Sequence, residues 1–141
     1  MGKATQMDAA PAAYRIYIVE DSEALSSRVI DLLADIAGAS VIGCSGRAEI
    51  AVAEIAQQKP DAIILDLKLE TGTGYEVLLG LARLHVAPIA IVLTNYTTPL
   101  YRNEAARLGA GYFFDKSSEV PEMVRTVTAL IEGHQGRGAP S

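Results

Sequence analysis

Residues 61–66 read DAIILD, four apolar residues between two carboxylates, with Pro60 immediately before them. A short unbroken apolar run suits a central strand buried on both faces, because an exposed face would bring polar residues at every second position. That strand ends on Asp66. Working outward, residues 14–19 (YRIYIV), 39–43, 88–93 (PIAIVL) and 112–114 are further strands by their β-branched and aromatic content. Amphipathic segments lie between them. Ser22 offers an N-cap to a helix carrying Leu25, Val29, Leu32, Leu33 and Ile36 at helical spacing, with Gly38 as its stop. Residues 47–58 form a second helix with Ala48, Ala51, Val52 and Ile55 inward. Tyr75, Leu78, Leu79 and Ala82 give a third helical face, and Thr98–Pro99 opens a weaker fourth that runs to Leu108. Ser118 is the expected cap of the last helix, whose stripe is Val120, Met123, Val124, Val127, Leu130 and Ile131.

Strands alternating with helices, without a hairpin signal, imply right-handed crossovers and a parallel sheet covered on both faces. The expected class is α/β: a flavodoxin-like (βα)5 doubly wound sheet of strand order 2-1-3-4-5. The expected boundaries are a flexible leader over 1–13, one domain over 14–132 and a flexible glycine-rich tail over 133–141.

Composition narrows the function classes. Half of the 141 residues are hydrophobic by type, enough for one core, and 21% are charged, which argues against wholesale disorder. A formal charge of −5 argues against a dedicated nucleic-acid binder. The single cysteine, Cys44, permits no internal disulfide and no cysteine metal site. It is expected to be a small buried hydrophobe on the second strand, in a reducing compartment. No apolar run approaches the ~20 residues that cross a bilayer, and the first residues lack a signal-peptide core. A cytoplasmic protein without membrane attachment is expected.

Ligands of open α/β sheets bind beyond the carboxyl ends of the strands. There this sequence places Glu20 and Asp21, Asp66, Thr94 and Asn95, and Asp115 and Lys116. Singly, each has an ordinary explanation: a carboxylate favours a helix start, an aspartate begins a turn, and a lysine is solvated surface. Their joint placement is what those explanations do not predict. Clustered carboxylates repel one another unless a cation neutralises them. Oxygen donors without histidine or cysteine favour Mg²⁺. A carboxylate can also attack a phosphoryl group to give an aspartyl phosphate, whose charge Lys116, Thr94 and Mg²⁺ would stabilise.

The motifs IVED (18–21), LDLKLETGTGYEVL (65–78), VLTNY (92–96) and GAGYFFDKS (109–117), in this order and spacing, resemble the receiver domain of bacterial two-component response regulators. The resemblance runs from about residue 14 to residue 131. It implies that Asp66 is the phosphoacceptor and that Glu20 and Asp21 hold Mg²⁺ together with Asp66 and the backbone carbonyl of Lys68. It makes Thr94 the switch hydroxyl, Phe113 the switch aromatic, Lys116 the contact to a phosphoryl oxygen, and Gly74 the turn glycine after the third strand. The implied partner is a sensor histidine kinase or phosphotransfer protein. The implied output is a change in the face of helix 4, strand 5 and helix 5, in a monomer or a phosphorylation-dependent homodimer. No enzymatic activity is implied beyond self-phosphorylation and slow autodephosphorylation, whose rate Lys68 and Tyr96 would set by flanking the path of attacking water.

The sequence departs from the family pattern in several places. Ser117 stands where a cis-proline often follows the lysine, and a non-proline cis bond costs ~2.5–4 kcal/mol. Glu70 replaces a common proline, Asn95 a smaller residue, and Phe113 the commoner tyrosine, while Asp115 adds a carboxylate beside Lys116. Ten residues follow Ile131, so the expectation is a stand-alone receiver without a DNA-binding domain. The alternatives are a receiver cut from a longer regulator and a phosphotransfer relay intermediate. Three other classes fit less well. A flavin- or nucleotide-binding module wants a Gly/Ser/Thr-rich loop where Glu20, Asp21 and Glu23 stand. A haloacid-dehalogenase-type phosphatase wants an acid where Lys68 stands. A receiver signalling without phosphate would not need the full acidic set. His85 and His134 are expected on the surface, away from the chemistry. Leu100 and Tyr101 are either a partly exposed docking patch or core.

Overall fold

The computed structural model describes residues 12–138. In chain order the elements are β1 (Tyr14–Val19), α1 (Glu23–Ala34), β2 (Ala39–Ser45), α2 (Ala48–Gln58), β3 (Ala62–Leu65), α3 (Gly74–Arg83), β4 (Ile89–Thr94), α4 (Pro99–Arg107), β5 (Tyr112–Asp115) and α5 (Val120–Gly138). The sheet is parallel throughout, in the order β2-β1-β3-β4-β5. This is the expected flavodoxin-like arrangement.

Alternation along the strands builds two cores. Tyr17, Val19, Ile63, Leu65 and Val92 face α2, α3 and α4, where Ala51, Ile55, Val77, Leu81 and Ala105 meet them. Ile16, Ile18, Ile64, Ile91 and Leu93 face α1 and α5 and pack on Val29, Leu33, Met123, Val127 and Ile131. Every residue of β3 is buried, as its unbroken apolar run predicts. The register then aligns the chemistry: Val19 pairs with Leu65, so Glu20 and Asp66 emerge side by side, and Thr94 pairs with Asp115, so Lys116 follows.

Several expectations need correction. Gly43 does not end the second strand. Instead β2 bulges opposite Ile16 and Tyr17 and continues to Ser45. A Cβ at Gly43 would lie 2.7 Å from a Tyr17 ring carbon, so the glycine provides room for that ring. Cys44 is exposed, because β2 is an edge strand. Ser118 lies too early to cap α5. The Glu119 carbonyl accepts the first helical bond, from Met123 N, while Ser118 N donates to the Asp115 carbonyl. The first helix ends at Ala34, before Ile36, and Gly38 takes φ +90° in the turn into β2. Ser22 does cap α1, accepting from Leu25 N at 3.3 Å.

The largest correction concerns the expected tail. The last helix continues through residues 133–138. The reason lies far away in sequence: His134 meets the Tyr14 ring edge-on at 5.2 Å, and Gln135 fills the space beside Gly38. These contacts hold a helical turn that Gly133 alone would weaken. Most of the expected leader, residues 1–11, and the end of the tail, residues 139–141, lie outside the described residues. Among the described residues no helix is long and apolar enough to cross a membrane.

Candidate functional site

Asp66 is the first residue past β3, and its carboxylate is engaged on both oxygens. Oδ1 accepts from Thr94 Oγ1 at 2.6 Å, Leu67 N at 2.7 Å and Lys68 N at 3.4 Å. Oδ2 accepts from Lys116 Nζ at 2.6 Å. Lys116 Nζ also reaches Glu20 Oε1 at 2.8 Å, and the Glu20, Asp66 and Lys116 side chains are each 9% exposed. Thr94 is fully buried and accepts from Tyr96 N at 3.3 Å. Asp21, by contrast, is exposed.

Carboxylate oxygens of Glu20, Asp21 and Asp66 lie within 4.8 Å of one another. One lysine faces three carboxylates, so the group is short of positive charge by about two units, the deficit a divalent cation fills. Oxygen-only donors are the chemistry Mg²⁺ takes, with one or two carboxylates and the rest water or phosphate. The residues present therefore fit that ion. Burial pushes the Glu20 carboxyl above the usual range, against the pull of Lys116 and of Ser22 N. Burial alone would lower the Lys116 ammonium, but hydrogen bonds and charge from Asp66 and Glu20 outweigh it and hold it raised. Lys116 is thus a fixed cation.

The surrounding loops explain how these groups are held. Gly74 was expected as a turn glycine, but its backbone angle is not what demands it. A Cβ there would sit 2.4 Å from the Asp66 carbonyl oxygen, so only glycine lets α3 start against the acceptor. Gly74 N also donates to the Leu67 carbonyl at 2.9 Å. Gly46 packs against Asp21 in the same way, with a Cβ 2.5 Å from the Asp21 Cα.

Glu70, where proline is common in the resembling family, uses its N–H: it donates to the Gly46 carbonyl at 2.8 Å, and Arg47 pairs with its carboxylate at 3.3 Å. Ala48 N donates to the Thr71 carbonyl at 2.9 Å. The loop carrying Lys68 is therefore stitched to the loop that supports Asp21, a connection that residue types alone did not reveal.

Phe113 is half-buried, with the Arg102 guanidinium 4.6 Å from its ring centroid and Arg102 Nε donating to the Thr97 carbonyl at 2.9 Å. Among the described residues no peptide bond is cis, so Lys116–Ser117 is trans. Asn95 is exposed beside the site, as is Tyr96. Leu100 is 76% exposed, and with Tyr96 and Tyr112 it is among the exposed large apolar residues, so it is not core. Tyr101 packs against Tyr96 at 5.3 Å. His85 is exposed near the amino edge of the sheet and takes no part.

Comparison with known proteins agrees with this fold. The family model described as response regulator receiver domain matches residues 16–128. A protein-glutamate methylesterase/protein-glutamine glutaminase of Desulfotalea psychrophila is 36% identical over 107 residues, 74% of this chain and 29% of its own length. The response regulator GacA of Pseudomonas viridiflava is 24% identical over 121 residues, 86% of this chain and 56% of its own. The chain thus spans about half or less of these curated relatives. Among solved structures, the signal receiver domain of the putative response regulator NarL from Mycobacterium tuberculosis superposes with a TM-score of 0.79 at 21% identity, covering 87% of this chain and 99% of that one. A CheY-like receiver domain protein from Methanospirillum hungatei gives 0.77 at 20% identity, covering 89% and 99%.

Proposed function

The chain belongs to the response regulator receiver domain family of two-component systems, and we propose that it takes a phosphoryl group on Asp66 from a phosphohistidine of a sensor histidine kinase or phosphotransfer protein. The observation that carries this reading is the Asp66 carboxylate itself: buried, with Thr94 on one oxygen and Lys116 on the other. In the transfer, an Asp66 oxygen bonds to phosphorus as the phosphorus–nitrogen bond breaks; the donor ring, protonated on its other nitrogen, leaves as neutral imidazole, and Asp66 carries an acyl phosphate. Thr94 Oγ1 and Lys116 Nζ exchange their bonds to the carboxylate for bonds to phosphoryl oxygens. Glu20, Asp21 and Asp66, with the Lys68 carbonyl, would hold Mg²⁺, which supplies charge neutralisation for the entering phosphate. Asn95, Lys68 and Tyr96 are exposed around the entrance and would set how fast donor and water reach the site.

The output follows from Thr94. Its movement releases Tyr96 N and shifts the connection into α4, and Phe113, under Arg102, adjusts with it. That is a change of population between two packings, at the face of α4, β5 and α5. In a single-domain protein the recipient is another molecule; in a longer regulator it is a neighbouring domain. The reading is one of signalling rather than catalytic turnover of a substrate. Incubation with acetyl phosphate and Mg²⁺ tests it by intact mass. One adduct of about 80 Da is expected on the parent and none on Asp66→Asn, as covalent capture on a single carboxylate requires. Equal labelling of the variant would sink the assignment.

A further inference from the structure

We propose that Asp115 is a positioning residue, whose carboxylate and backbone together hold Lys116 against Asp66. The inference rests on the reading of Lys116 as the phosphoryl contact. Lys116 is the first residue beyond β5, a four-residue edge strand, and its last tie to the sheet is N–H to the Thr94 carbonyl at 2.9 Å. From there its ammonium spans to Asp66 and Glu20 on two other strand ends. The following bond is trans and leads to a serine, so no proline ring stiffens the turn.

Asp115 fixes it instead. Its Oδ1 accepts from Ser117 N at 2.8 Å and Ser117 Oγ at 2.6 Å, bracketing Lys116 on both sides. Its N–H donates to Glu119 Oε1 at 2.8 Å, and its carbonyl accepts from Glu119 N at 2.8 Å and Ser118 N at 3.3 Å. Lys116 therefore sits at the centre of a closed set of bonds anchored on its neighbour. The Ser117 hydroxyl and N–H, with the Arg102 charge further off, hold the Asp115 carboxyl below the usual carboxylate range, as expected for a carboxylate that accepts both.

The alternative is that Asp115 only helps α5 to start, and the test separates the two. Parent, Asp115→Ala and Asp115→Asn are compared in four measurements: labelling by acetyl phosphate, Mg²⁺ affinity by calorimetry without phosphodonor, melting temperature, and acylation of Lys116 by an amine reagent mapped by mass spectrometry. Asp115→Ala is expected to lower the labelling rate about tenfold through misplacement of Lys116 while Mg²⁺ affinity and melting temperature hold. Its Lys116 acylation should rise by a similar factor. Asp115→Asn keeps the Oδ1 acceptor as a weaker neutral partner and should stay within about threefold of the parent on both counts. Parental acylation of Lys116 in Asp115→Ala overturns the proposal. So does an equal loss in Asp115→Asn, or a rate that falls only in step with Mg²⁺ affinity or melting temperature. Labelling of Asp66→Asn would count against the phosphoacceptor reading instead, and the acylation result would still decide the role of Asp115.

Discussion

Helices α3 and α4 make the two crossovers on either side of β4, yet they are anchored very differently. A capping box starts α3: Thr73 Oγ1 accepts from Glu76 N at 3.2 Å, and Glu76 Oε1 accepts from Thr73 N at 3.0 Å. The helix then buries Gly74, Val77, Leu78 and Leu81. At the start of α4, Thr98 occupies the cap position without a side-chain capping bond among the described residues. The buried residue of α4 is Ala105, and its Leu100 stands in solvent. Ala105 and the half-buried Tyr101 tie α4 to the core, and its remaining ties are polar and peripheral: Tyr75 Oη to the Tyr101 carbonyl at 3.4 Å and the Arg102–Phe113 stack. The helix that abuts the Asp66 backbone is the more deeply anchored, and the one that follows Thr94 the less. Elements that move in signalling come from the weakly anchored end of a structure.

That difference can be broken by mutation. Leu81→Ala should cost about 2–5 kcal/mol in denaturant unfolding, as a large core truncation does. Leu100→Ala should stay within about 0.5 kcal/mol; a similar loss from both would erase the contrast. Gly74→Ala forces a Cβ against the Asp66 carbonyl and should cost about 1–3 kcal/mol by overpacking. It should also slow acetyl phosphate labelling, since the acceptor loop must shift. Thr73→Ala should cost about 1 kcal/mol by losing the capping box, and Thr98→Ala no more than about 0.3 kcal/mol. Arg102→Ala should have only a small effect on stability, about 0.5 kcal/mol for a partly exposed cation–π contact. Its signature should be faster amide exchange across α4, with α3 unchanged.

The features written in local pattern were legible in the sequence. The apolar run of β3 placed its strand in the middle of the sheet. The rule for open α/β sheets then placed Glu20, Asp21, Asp66, Thr94 and Lys116 at one edge, where the structure brings them together. The Thr73–Glu76 spacing is also a local signature, that of a capping box ahead of an apolar run. What stayed hidden depends on partners distant in sequence. Gly133 reads as a helix breaker until Tyr14 and Gly38 supply contacts from the other end of the chain. Gly43 reads as a strand end until the Tyr17 ring needs its space. Glu70 and Ser117 read as bare departures from positions where proline is common. In the folded chain their N–H groups, which proline lacks, donate to Gly46 and Asp115.

The central claim is that a phosphoryl group on Asp66 is read out through α4 while α3 stays in place. Peptide-resolved hydrogen exchange, with and without beryllofluoride and Mg²⁺ as the phosphoryl mimic, tests it directly. The predicted result is a change across residues 94–107 and 112–115, no change across 77–83, and no response in Asp66→Asn. A protein that binds the mimic with α4 unaltered, or with α3 altered as much as α4, would contradict the account.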